Sequence, residues 1–186
     1  TTDSIQGVRL GWNVDCSEDG SVVLASGVGG PALFVKNNGT YSLQQQTGFP
    51  TSASYGVGSI SADGTHVILL YVTAWNAAYH YEVFAYDGST WSQKGSNISS
   101  NYNVERSGFQ DHNATAFINN DGSQVTTSNV NYSPSGMCYN TTYTFDGTSW
   151  VETTNVTIQS VWGDGRPSQH VSSDGRLLVI GDRGYA

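Results

Sequence analysis

Six Asn residues open an Asn-x-Ser/Thr triplet: Asn38, Asn97, Asn113, Asn131, Asn140 and Asn155. With x other than Pro, such a triplet is an acceptor for an N-linked glycan, a bulky group that surface loops and strand ends accommodate. About three or four triplets are expected by chance in a chain so rich in Asn, Ser and Thr, so six is a modest excess. Asn38 sits in a turn-like Asn-Asn-Gly-Thr stretch, Asn97 follows an expected strand, and Asn155 falls between two repeats. Asn131 is the weakest acceptor, because Pro134 follows its triplet. The two thiols, Cys16 and Cys138, cannot form a zinc site alone, which leaves a disulfide between them or free thiols.

Catalytic patterns are weak. His66, His80, His112 and His170 have no metal-binding spacing, and His66 and His170 fall in or beside repeat strands, where a structural role is expected. Asp111-His112 is an adjacent pair without a nucleophile elbow, and Gly27 to Pro31 lacks the Lys and helix of a phosphate loop. Asp87-Gly88-Ser89-Thr90-Trp91 lacks the residue that a sialidase Asp-box places between Asp and Gly. A pair of acids for glycoside hydrolysis would have to come from Glu18, Glu82, Glu105, Glu152 or the Asp residues outside Asp-Gly turns, with no spacing to pair them. The expectation is a protein that is not an enzyme, with a secreted glycosidase as the third reading. Trp75, Tyr79 and Tyr81, with His80 between them, could stack on sugar faces as in a lectin, or pack between sheets; packing is favoured.

The elements that position these residues follow from composition and repetition. Charged residues make up only 12% of the chain and aromatic residues another 12%, which suits short strands and tight turns rather than helices. The net charge of −8 excludes a phosphate-backbone binder, which needs clustered Lys and Arg; the Lys residues are Lys36 and Lys94. Seven of the 11 Asp precede Gly, so most of the acidity is turn chemistry. No apolar run is long enough to cross a membrane as a helix. The opening Thr1-Thr2-Asp3 fits a mature secreted chain or a cytosolic one; the triplets favour an extracellular location.

Two motifs alternate. Ser/Asn-x-Asp-Gly before a strand occurs at Ser17, Ser61, Asn119 and Ser172, with Asp-to-Asp steps of 44, 58 and 53 residues. An aromatic strand, then Asp-Gly or Asn-Gly, then another aromatic occurs at Leu33 to Gln44, Val83 to Gln93 and Tyr143 to Glu152. Each copy reads as two hairpins, hence four antiparallel strands. The expected fold is all-β: one domain over 1–186, a β-propeller-like array of about three and a half four-stranded antiparallel blades. The repeats span roughly 8–50, 51–100, 108–156 and an incomplete 160–186.

The pair of motifs, Ser-x-Asp-Gly and Val-Phe-Ala-Tyr-Asp-Gly-Ser-Thr-Trp-Ser-Gln, resembles FG-GAP repeats of the integrin α-subunit propeller and related secreted proteins. The resemblance implies extracellular adhesion or structure, and a calcium loop in some repeats. The nearest such loop would use Asp15, Ser17 and Asp19 as oxygen donors for Ca2+. A calcium ion takes six or more oxygens, and no downstream carboxylate completes this set, so a plain turn is the stronger expectation. The half repeat at 160–186 leaves three outcomes: a strand at Ile5 to Leu10 closes the ring within one chain, the edge stays open, or a neighbouring copy continues it head to tail. The functional expectation is therefore a secreted, N-glycosylated, self-assembling structural or adhesive subunit, with a lectin-like propeller as the alternative.

Overall fold

The structure, a computed structural model, describes residues 9–28, 30–44, 47–50, 55–71, 78–103, 114–131, 137–159, 168–172, 174 and 176–181. The described residues form strands and turns, grouped in chain order as the repeat predicts. The first sheet holds β1 (Arg9–Cys16), β2 (Val22–Val28), β3 (Ala32–Asn37) and β4 (Thr40–Gln44). The second holds β5 (Tyr55–Ile60), β6 (His66–Tyr71), β7 (Ala78–Tyr86), β8 (Trp91–Gln93) and β9 (Ile98–Asn103). The third holds β10 (Ala114–Ile118), β11 (Gln124–Asn131), β12 (Met137–Phe145) and β13 (Trp150–Gln159). A hairpin of β14 (Ser168–Val171) and β15 (Leu178–Gly181) forms the fourth. Every pairing is antiparallel between successive strands, except that β8 and β9 both pair with β7. These two are one outer strand interrupted at Lys94-Gly95-Ser96-Asn97.

Stacking of the sheets is written in β6, whose residues Val67 to Leu70 are all buried although adjacent side chains point to opposite faces. Val67 and Leu69 join Leu24, Leu33, Phe49, Ile60, Phe84 and Trp91 in a core between the first and second sheets. Ile68 and Leu70 join Tyr81, Val83, Ile98, Ile118, Val125 and Trp150 in a core between the second and third. Each such aliphatic side chain stabilises the stack by about 1.5–3 kcal/mol. A sheet buried on both faces shows no polar alternation, which is why these strands read as continuous apolar runs.

The face of the third sheet turned away from the second is different. Where the second sheet pairs Leu70 with Tyr81 and Ile68 with Val83, the third pairs Ser128 with Asn140 and Thr126 with Thr142. Farther out on that face, Val151, Val156 and Ile158 of β13 are exposed. Val14 of β1, on the opposite outer face of the stack, is also exposed.

Candidate functional site

The first motif closes the same six-residue turn in all four copies. In the first, the Ser17 amide donates to the Val22 carbonyl at 2.9 Å, and the Val22 amide returns to Ser17 Oγ at 3.0 Å. Ser17 Oγ donates to Asp19 Oδ1, which also accepts the Ser21 amide. Ser61, Asp63, Thr65 and His66 repeat this pattern, as do Ser172, Asp174, Arg176 and Leu177. In the third copy the Asn119 amide oxygen replaces the Ser hydroxyl and accepts from Gln124 and Ser123. These donors favour the charged carboxylate, so Asp19 is lowered to about 2, chiefly by the Ser21 amide. The Ser123 and Ser172 hydroxyls hold Asp121 and Asp174 low in the same way. Asp63 is pushed up by partial burial, but the Ser61 hydroxyl and the Thr65 amide outweigh this and leave it low.

The second motif makes the β3–β4 type of hairpin. Asp87 Oδ1 accepts the Ser89 and Thr90 amides, and Asp146 Oδ1 accepts those of Thr148 and Ser149, each at 2.8 Å. The first copy differs: Asn38 and Gly39 both have positive φ, 50° and 83°, the signature of a two-residue hairpin loop.

The aromatic after each turn seats on the preceding blade. Trp91 donates its backbone amide to the Thr47 carbonyl at 2.9 Å, and its ring lies 5.3 Å from both Phe49 and Tyr86. Gly48 (φ 78°) lies so close that an added Cβ would be 2.0 Å from the Trp91 carbonyl oxygen. One blade on, the Trp150 indole donates to the Lys94 carbonyl at 2.8 Å, and a Cβ on Gly95 would lie 2.9 Å from the Phe145 ring. In the first blade the equivalent position is Tyr41, which is exposed beneath Lys36 and donates to the Gly20 carbonyl.

The second joint carries a charged cluster. Lys94 Nζ donates to the Gly122 carbonyl at 2.6 Å, lies 3.2 Å from His66 Nε2, and sits 5.1 Å from the Phe145 ring centre. His66 Nδ1 is 2.9 Å from Thr65 Oγ1. The imidazole packs flat against Gly122, where a Cβ would fall 2.2 Å from His66 Cγ. Burial and then the Lys94 charge hold His66 below its ordinary value, against the pull of Asp63 and Asp121. Burial likewise lowers Lys94. The sequence reading assigns His66 a structural role but passes over Lys94, Gly48 and Gly95. No fixed spacing marks these glycines, since Trp91 follows Gly48 by 43 residues and Trp150 follows Gly95 by 55.

The other expected site residues are dispersed. Tyr79 and Tyr81 are buried in the second core, and the Tyr81 hydroxyl donates to Asn129 Oδ1 at 2.7 Å. Of the two alternatives they take packing and not sugar stacking, because odd positions of β7 face the third sheet. Trp75 and Asn113 lie outside the described residues. Asn131 ends β11 and Cys138 lies near the start of β12, but their side chains are also outside the described set.

Asn140 is corrected as a glycan acceptor: its side chain is 1% exposed, and a glycan needs its amide nitrogen in solvent. Asn155 lies within β13 rather than between repeats, with its amide on Thr141 Oγ1 and Glu152. Asn97 bridges Glu82 and Gln93. Asn38 is exposed at its hairpin tip.

Cys16 is a free, exposed thiol, so of the two alternatives the disulfide with Cys138 is not formed. Cys16 shares the outer face of β1 with Val14, whereas Asp15, on the opposite face, accepts the Ile60 amide of the second sheet. Cys138 belongs to the third sheet, beyond the second. The Ca2+ candidates do not converge either. Asp15 serves the Cys16 and Ile60 amides, while Asp19 serves Ser17 and Ser21, so the Asp15-Ser17-Asp19 stretch is a turn. Among the described residues, no three His, Cys, Asp or Glu side chains gather as metal ligands.

No family description and no curated protein matches the chain in sequence. Solved structures do match in shape. A protein of Bacteroides fragilis NCTC 9343, proposed to be a 6-phosphogluconolactonase, aligns over 97% of this chain and 49% of its own, with TM-score 0.58 and 13% identity. The β-propeller domain of Cps50 (Swd1) from Myceliophteria thermophila aligns over 94% of this chain and 51% of its own, with TM-score 0.55 and 10% identity. TolB from Acinetobacter baumannii aligns over 93% of this chain and 37% of its own, with TM-score 0.53 and 14% identity. The chain thus spans about half, or less, of the length of the structures it matches. With three antiparallel sheets stacked in chain order and a fourth begun, the chain has the β-propeller fold.

Proposed function

We propose that this chain is a structural or adhesive propeller module, secreted and N-glycosylated, which assembles with further copies of itself head to tail. The observation that carries this reading is where apolar side chains remain uncovered. Apolar side chains stand in solvent on both sides of the stack: Val14 of the first sheet is 61% exposed, and Val151, Val156 and Ile158 of β13 are exposed at the rim of the third sheet, although Thr126, Ser128 and Asn140 nearer the middle of that face are buried. In the fourth sheet, Leu177 and Val179 are exposed at 61% and 56%. Exposed apolar side chains grouped in this way mark an association surface. Two different faces meeting make a heterologous joint, which propagates instead of closing on itself. The glycan belongs on Asn38, at the hairpin tip. The lectin alternative loses support with Tyr79 and Tyr81 in the core.

Light scattering and electron microscopy of the chain over a concentration series test the reading. Growing oligomers or filaments, abolished by Val14→Asp or Val179→Asp in a chain that still folds, are the expected result. A monodisperse monomer at every concentration would overturn it. Secretion from a eukaryotic host tests the glycan: Asn38→Gln should remove one glycan's mass.

A further inference from the structure

Both joints between complete blades place a glycine of one Asp-Gly turn on the fifth residue after the Ser of the preceding blade's turn. At the first joint Gly64 meets Val22, with an added Cβ 3.2 Å from Val22 Cγ2. At the second, Gly122 meets His66. An aliphatic residue in one joint is thus a titratable residue in the other, and Lys94 lies against it.

Lys94 Nζ has only protons to give, so the His66 Nε2 that faces it at 3.2 Å must be the unprotonated acceptor. The ring proton then sits on Nδ1 and is donated to Thr65 Oγ1. Lys94 in turn ties the blades: its Nζ holds the Gly122 carbonyl of the third blade, and its own carbonyl holds the Trp150 indole. A proton added at Nε2 would set two cations against each other at that distance, in a half-buried site where the attraction of water is reduced. The other charged groups that act on the imidazole are the Asp63 carboxylate, in its own blade, and the Asp121 carboxylate, in the third. Both are already engaged by the amides and hydroxyls of their turns.

We infer that the second joint is an acid-operated latch: protonation of His66 at Nε2 drives Lys94 from the Gly122 carbonyl and loosens the second blade from the third, while the first joint, with Val22 in that place, does not respond. The direction follows from linkage. Burial and the Lys94 charge keep the folded imidazole below its ordinary 6.5, so its contribution is fully present above 6.5 and is lost as the pH falls through the lower folded value.

Hydrogen exchange of the whole chain at about pH 7.5 and about pH 5.5, corrected for the intrinsic rate, reads the two joints separately. Protection at Lys94–Asn97 and Asn119–Gln124 is expected to fall severalfold in acid, up to a limit of about tenfold, and at Ser17–Val22 and Trp91 less than about twofold. His66→Val rebuilds the first joint's chemistry, and His66→Gln supplies a non-titrating acceptor to Lys94. Either should remove the acid response of the second joint. Equal loss at both joints, or an acid response that survives in a folded variant, would overturn the latch. So would a nitrogen spectrum of the native imidazole with its neutral-pH proton on Nε2.

Discussion

The first and second blade joints share a plan and differ in chemistry. In each, an aromatic from the outer strand seats on a glycine of the preceding blade, and an Asp-Gly turn leans on its neighbour's turn. At the first joint the parts are Val22, Gly64, Tyr86 and Trp91. At the second they are His66, Gly122, Phe145 and Trp150, with Lys94 inserted. Backbone geometry and glycine placement build a joint; the side chain at one position decides whether it also senses protons. The far face of the third sheet extends the comparison, because Thr126, Ser128, Asn140 and Thr142 replace the aliphatic and aromatic set of the second sheet.

The largest expected effects come from the aromatic seats. Trp91→Ala and Trp150→Ala should each cost about 3–5 kcal/mol in urea unfolding. Tyr41→Ala, at the same repeat position but exposed, should cost about 1 kcal/mol or less. A Tyr41 effect as large as that of the two Trp would break the equivalence between seat and joint.

Next come the glycines. Gly48→Ala must force a positive φ and move a backbone carbonyl, for about 3 kcal/mol. Gly95→Ala meets rings that can shift, for about 2 kcal/mol. Ser61→Ala and Ser17→Ala should each cost about 1–2 kcal/mol through the lost turn bonds, and Ser172→Ala, in an exposed turn, less.

The smallest effect separates the turns from the latch. The turn Asp carboxyls are held below their ordinary 3.8, Asp19 at about 2, so they stabilise the fold above 3.8 and release that contribution only as the pH falls toward 2. In His66→Val the unfolding midpoint should therefore stay level from neutral pH down to about 4 and then decline. An earlier decline would mean that another group senses acid.

Residues close in the chain were the legible ones. The Ser-x-Asp-Gly turn closes within six residues through bonds among its own atoms, so composition and order suffice to predict it. The Asn38-Gly39 hairpin is likewise local. The interruption of the outer strand at Lys94–Asn97 was not legible, because it depends on the Trp150 seat 56 residues away. Neither was the burial of Tyr81 and Asn140. In a sheet covered on both faces, alternation no longer says which side chains reach water. Cys16 and Cys138 illustrate the same limit, since a pairing requires sheets to meet that the stacking order keeps apart.

The sequence by itself determined the strands, the turns and the repeat, because each rests on φ preferences and hydrogen bonds spanning a few residues. Tertiary structure alone decided which triplet Asn faces solvent, which aromatics are core, and that His66 and Lys94 meet at a joint. Those outcomes depend on which blade lies against which, and this is set by the burial of apolar faces contributed by residues far apart in the chain.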